Sequence, residues 1–317
     1  MRKALSDISS FSQAPIGPSS LVATCVNRYL GSTMQEIEGI RRYPSGKPGP
    51  TVAIVGGLHG NEPCGPETLD RIAREVENDE LRLLQGELVL LHGNPEATRQ
   101  QRRYTRDGVD LNRIFDFAFE DTLPRDQWTY EHHRAMELRP VVDEWHAVLD
   151  IHSTSSPTEP FAIWPHGEPK KLLIQRMGIR ALTLAWDGLG LPGSQALISV
   201  LSQQGRTGLV VECGQHDAPE SVDRAYEYSI QFLVSEGLLE GDTKPRSDLR
   251  VYRMRSVIKK PTEDFRFNEQ FQAFDMIPAG TELGAGITLD ADAIVVMPNE
   301  DVPVGGDMLY LAEPPGI

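Results

Sequence analysis

The sequence predicts an α/β fold, a mixed and mainly parallel sheet with helices on both faces, followed by a small β-rich C-terminal domain. Three observations predict it. Residues 51–55, 87–92, 147–151 and 208–212 are short runs apolar on both faces, as in strands buried within a parallel sheet. Amphipathic segments at helical spacing separate these runs, the pattern of βαβ units. Beyond residue 248 the texture changes to short β-type runs punctuated by Gly and Pro.

In chain order, residues 1–20 are rich in Ser and Pro and read as loop, and 21–42 hold short apolar segments that suit an opening hairpin. Residues 45–50 form a turn of Gly and Pro before the first buried strand, 51–55. Leu69, Ile72, Ala73 and Val76 then recur on one helical face, with Pro63 and Pro66 at the helix start. After the strand at 87–92, residues 94–128 are polar, Arg-rich and irregular, and so long a connection within a domain points to function. A helix over 130–145 leads to the strand 147–151, which ends at His152. A strand over 161–164, a helix over 170–177, an extended segment over 181–186 and a helix over 194–203 come next. The strand 208–212 and a long amphipathic helix over 219–236 follow. The composition break at 239–248 divides the chain into a catalytic α/β domain, 1–245, and a β-rich domain, 246–317, with strands expected over 251–258, 265–267, 271–276 and 294–297.

The 317 residues carry 31 basic and 46 acidic side chains, a formal net charge of −15. Such a surface repels phosphate backbones, so nucleic acid and anionic membrane are excluded as partners. No run approaches the roughly 18 apolar residues of a spanning helix. An anionic small molecule would need local cations. The three cysteines, Cys25, Cys64 and Cys213, are too few and odd in number for a disulfide framework. A reducing, cytoplasmic location is the expectation. A homo-oligomer is left open.

The chemistry gathers at strand ends. His59 and Glu62, in Gly57-Leu58-His59-Gly60-Asn61-Glu62, stand three apart where a strand gives way to a helix, and both side chains can turn toward one divalent metal. His152 and Glu212 close two further strands, and in open α/β sheets the carboxyl ends of strands share one crevice. Two His and one carboxylate leave an open position on a tetrahedral zinc, the catalytic arrangement. Glu212 is then the candidate general base. A lone His-x-x-Glu arises by chance, and Glu62 could merely favour a helix start. His152 alone could be a hydrogen-bonded core histidine. Glu212, ending an apolar run, is harder to dismiss, because an unpaired buried carboxylate costs several kcal/mol. Asp150, two before His152, can orient that ligand or be a salt-bridged Asp. Arg99, Arg102, Arg103, Arg106 and Arg113 fall within fifteen residues. Some of them can bind a carboxylate or an oxyanion, while Arg99 and Arg102 read as solvated.

These motifs, with Asn94-Pro95, Asp110-Leu111-Asn112-Arg113, Asp150-Ile151-His152 and Val211-Glu212 in that order, resemble the succinylglutamate desuccinylase/aspartoacylase family within the zinc carboxypeptidase-like fold. The resemblance spans about residues 50–240. It implies one Zn2+ per chain held by His59, Glu62 and His152, with Glu212 as general base and acid. It implies that Asn112 and Arg113 hold a substrate carboxylate and that Arg103, or Arg106 in its place, stabilises the oxyanion. The implied activity is hydrolysis of a small N-acyl amino acid. A zinc carboxypeptidase acting on peptides and a non-catalytic metal- or ligand-binding protein are the alternatives.

Overall fold

The computed structural model describes residues 37–186, 196–243 and 245–314. The expected hairpin over 21–42, Cys25 and the start of the 194–203 helix fall wholly or largely outside them. Thirteen strands are present among the described residues. Those of the first half are β1 (Ile40–Pro44), β2 (Thr51–Gly56), β3 (Glu87–His92), β4 (Ala147–Thr154), β5 (Phe161–Trp164), β6 (Ala181–Leu184) and β7 (Thr207–Gln215). The remainder are β8 (Arg250–Lys259), β9 (Met276–Ile277), β10 (Glu282–Gly284), β11 (Ile287–Thr288), β12 (Ala293–Val296) and β13 (Asp307–Ala312). Eleven of them form one sheet in the order β1-β3-β2-β4-β7-β5-β6-β8-β13-β12-β9.

The block β3-β2-β4-β7 is parallel throughout, and β5-β6-β8 is a second parallel run. Antiparallel pairing joins β5 to β7 and orders β8, β13, β12 and β9. The expected mixed α/β sheet is therefore present, and its β-rich C-terminal part continues from β6 through β8.

Alternation along β2 explains why this sheet is covered twice. Val52 and Ile54 pack with Leu69, Ile72 and Phe232, whereas Ala53 and Val55 pack with Leu138, Trp145 and Leu197. Successive strand side chains point to opposite faces, so an all-apolar strand demands two layers of helix. The first layer contains helices α1 (Cys64–Glu77), α5 (Lys171–Arg176) and α7 (Glu220–Ser235). The second contains α4 (Tyr130–Val142) and α6 (Leu197–Gln203). Short helices α2 (Pro95–Arg99) and α3 (Phe119–Thr122) punctuate the arginine-rich connection.

Several elements differ from expectation. β4 runs on to Thr154 and β7 to Gln215, so His152 and Glu212 lie inside strands rather than at their ends. Residues 265–267 form no strand, because Phe265 and Phe267 turn edge-on to each other at 5.7 Å in a loop. β13 was not anticipated, yet it sits between β8 and β12 and buries Leu309 and Leu311. Among the described residues, no helix is long and apolar enough to cross a membrane.

Candidate active site

The loop after β2 carries His59 and Glu62, and glycine makes its path possible. Gly57 adopts φ +68°, where an L side chain is strained and a Cβ would also lie 2.8 Å from the His92 ring. A Cβ on Gly60 would lie 2.1 Å from the Ala97 carbonyl carbon, so the loop packs directly onto α2. The Gly60 N–H donates to the Arg103 carbonyl at 3.3 Å, fastening this loop to the arginine-rich one.

His59, Glu62 and His152 are all buried, and one potential ligand atom from each lies within 4.8 Å of the others. His59 Nδ1 is 2.8 Å from Glu62 Oε1, and His152 Nδ1 is 2.9 Å from Glu62 Oε2. The far ring nitrogens are anchored too. His59 Nε2 lies 3.0 Å from Asp110 Oδ1, and His152 Nε2 lies 3.0 Å from Asp150 Oδ2. Asp150 and His152 share a strand face because they stand two apart on β4. The result is a buried chain of three carboxylates and two imidazoles.

That chain favours positive charge at its centre. Burial opposes ionisation of Glu62, but His59 and His152 outweigh it and hold its carboxyl well below the ordinary range. Burial likewise opposes charge on Asp110, and Arg103 with His59 overcomes it. Desolvation pulls His152 down, while Asp150 and Glu62 more than reverse this and raise it. Arg103 offsets one of the three carboxylates, and with neutral imidazoles two would stay uncompensated. A divalent cation between the two Nδ1 atoms and Glu62 fits this donor set, with each far nitrogen held by a carboxylate as metal-bound histidines generally are.

Glu212 stands beside this group. It is the register partner of His152 across the parallel β4–β7 pair. Its side chain is 8% exposed, and Oε2 has no hydrogen-bond partner in the described structure. Burial, offset in part by His152, pushes its carboxyl up to about 7.

A cavity of about 560 Å3 opens over these residues. Arg103 and Arg113 line it, whereas Arg106 does not. Arg103 donates through Nε at 3.1 Å and Nη2 at 2.8 Å to Asp110, and its Nη1 is 3.9 Å from Glu62. Burial opposes its charge, and Asp110 with Glu62 holds the guanidinium above its ordinary range all the same. Arg113 donates through Nη1 to the Asn112 carbonyl at 2.9 Å. Asn112 is buried and occupied on both sides: its Oδ1 accepts from the Leu197 N–H at 3.0 Å, and its Nδ2 faces His152 Nε2 at 3.3 Å.

Several cavity residues escape a reading of the sequence. His216 stands four after Glu212 and bonds Ser153 Oγ at 2.8 Å, a proximity that only the β4–β7 pairing reveals. Trp186, Met297 and Tyr310 come from β-type segments with no local chemical signal. The Asp110 contact with His59 was within reach, since Asp110 opens the Asp-Leu-Asn-Arg motif.

Residues 48–220 match the family described as Succinylglutamate desuccinylase/Aspartoacylase catalytic domain. The chain is 25% identical over 280 residues to a succinylglutamate desuccinylase of Vibrio vulnificus strain YJ016, covering 80% of this chain and 78% of that protein. A succinylglutamate desuccinylase of Pseudomonas aeruginosa strain LESB58 is 25% identical over 264 residues, covering 77% of this chain and 74% of that one. The crystal structure of a succinylglutamate desuccinylase from Chromobacterium violaceum shares the fold, with a TM-score of 0.68 and 22% identity over 88% of this chain and 89% of that one.

Proposed function

Since the chain belongs to the succinylglutamate desuccinylase/aspartoacylase family, we propose that it is a zinc-dependent deacylase that hydrolyses the amide bond of an N-acyl amino acid. One observation carries this reading: Glu212 is buried with an unpartnered carboxylate oxygen, beside a converging His59, Glu62 and His152. A buried carboxylate without donors is expensive unless chemistry requires it.

His59, Glu62 and His152 would hold one zinc ion per chain, with Asp110 and Asp150 fixing the imidazoles. When bound, such an ion acidifies water and polarises an acyl carbonyl. Glu212 takes the proton from the attacking water and later gives it to the leaving nitrogen, a dual role suited to a carboxyl titrating near neutrality. Arg103 stabilises the oxyanion, favoured over Arg106 by its place on the cavity wall. Arg113, with Asn112 behind it, takes the substrate carboxylate. We treat residues 246–317 as a second domain that restricts the cavity to small substrates, through Met297 and Tyr310 among others. A reducing cytoplasm suits the buried, free Cys64 and Cys213.

The test is hydrolysis of a panel of N-acyl amino acids by the purified protein, before and after chelation. Amine release that disappears on chelation and returns with one equivalent of zinc is expected. Undiminished turnover in a protein shown to be metal-free would sink the proposal.

A further inference from the structure

The cavity lining combines charged and apolar side chains, and their chemistry restricts the substrate. Among the described residues lining it, the lysine and arginine side chains are Arg103 and Arg113. Arg103 is committed, with two of its nitrogens on Asp110 and the remaining one assigned above to the oxyanion. His216 is occupied as well, its ring nitrogens facing Ser153 Oγ at 2.8 Å and Ser155 Oγ at 3.4 Å. Arg113 makes one bond, to the Asn112 carbonyl, and pairs with no carboxylate among the described residues. The same lining contains the carboxylates of Glu62, Asp110, Glu212 and Asp307. Arg113 can therefore take one substrate carboxylate, and a second would find no uncommitted guanidinium or ammonium among the described lining residues.

The lining also has an apolar part. Ile163, Trp186, Met297 and Tyr310 form much of it. The Trp186 and Tyr310 rings lie 4.9 Å apart at 57°. Their polar atoms are already bonded: Trp186 Nε1 donates to Thr183 Oγ1 at 2.9 Å, and the Tyr310 hydroxyl donates to Asp307 Oδ2 at 2.8 Å. They offer ring surface to a ligand and no free donor. Met297 is held in a left-handed conformation, φ +48°, which for a side chain of this size persists only when its surroundings enforce it. The Ser156 hydroxyl, bonded to the Pro298 carbonyl, supplies part of that restraint. A carboxylate placed against these rings would lose hydration that neither Trp186 nor Tyr310 can replace.

We infer that the substrate carries a single carboxylate, bound by Arg113, and that the rest of it is apolar, so that N-acyl amino acids with apolar acyl groups or side chains are preferred to acidic ones. The inference rests on the deacylase reading above. Its test separates the two. Zinc-loaded Glu212→Gln protein is titrated by calorimetry with N-acetylphenylalanine, N-benzoylalanine, N-acetylaspartate and N-succinylglutamate, and the unmutated enzyme is assayed for hydrolysis of the same four compounds. The two apolar monocarboxylates are expected to bind at least tenfold more tightly than the two acidic compounds. A smaller ratio, a reversed order, or no measurable binding of the apolar pair overturns the inference. Absence of hydrolysis with every compound defeats the deacylase reading instead, while the order of affinities still judges this one. Trp186→Ala should reduce the apolar preference at least threefold, and an unchanged preference removes Trp186 from the proposed apolar lining.

Discussion

Glu131, at the start of α4, has no exposed surface, and Glu212, on β7, is 8% exposed. The two carboxylates are almost equally removed from water, but their surroundings differ. Glu131 accepts from the Thr105 N–H at 2.8 Å, Thr105 Oγ1 at 3.1 Å, the Val109 N–H at 3.3 Å, Asn94 Nδ2 at 3.2 Å and Thr129 Oγ1 at 3.2 Å. It thereby ties the loop that presents Arg103 and Asp110 to the helix layer. Glu212 keeps one oxygen without a partner, and its carboxyl is pushed up to about 7 by burial. Donor supply, rather than depth of burial, separates a carboxylate that fastens the chain from one that can exchange a proton.

The largest effect should come from breaking the reactive member of this pair. Glu212→Gln should lower kcat by about 10³–10⁴ while leaving the melting temperature nearly unchanged, because the amide fills the same space. Steady-state kinetics with a parallel thermal melt would measure both, and a loss below tenfold would erase the contrast. Glu131→Ala should invert the pattern. It strands several buried donors, at a cost of roughly 3–5 kcal/mol in urea unfolding. A change under 1 kcal/mol would mean that the loop does not depend on it. Gly108→Ala sharpens the same point, since its Cβ would lie 2.1 Å from Glu131 Oε2. Overpacking of that kind costs about 1–3 kcal/mol, and an unaltered denaturation midpoint would show that Glu131 can move aside freely.

The smallest effect concerns His92, whose ring nitrogen is 2.8 Å from Thr98 Oγ1. Burial, assisted by Arg134, pulls its imidazole from an ordinary 6.5 down to about 4. The folded chain therefore holds it neutral where the unfolded chain protonates it. Its contribution is complete above pH 6.5 and fades as pH falls toward about 4. We expect a loss of about 1–3 kcal/mol across that window, reduced in His92→Gln. Parallel unfolding curves for the two proteins between those pH values would contradict the assignment.

The sequence carried the parallel block clearly, because β2, β3, β4 and β7 are apolar on both faces and short. The nearness of His59, Glu62, His152 and Glu212 was legible as a candidate, because all four stand at or near ends of strands that share one crevice. Glu131 was not, since Tyr130-Glu131-His132-His133-Arg134 reads as a solvated helix start, and its donors lie 22 and more residues away along the chain except for Thr129. The apolar lining was equally hidden. Trp186, Met297 and Tyr310 meet only because β8 docks on β6 and β13 docks on β8, pairings that no local pattern announces. Their meeting is a property of sheet order, which hydrophobic periodicity does not encode.

The register of β4 against β7 sets His152 directly across from Glu212. Neighbouring strands sit about 4.8 Å apart whatever their connections do, so the spacing of His152 and Glu212 is inherited from backbone hydrogen bonding. Ser155 and Ser156, and Met297–Asn299, by contrast, lie beyond the ends of β4 and β12. An engineer could thus diversify the rim to redirect which acyl group is accepted, and leave the proton-transfer geometry untouched.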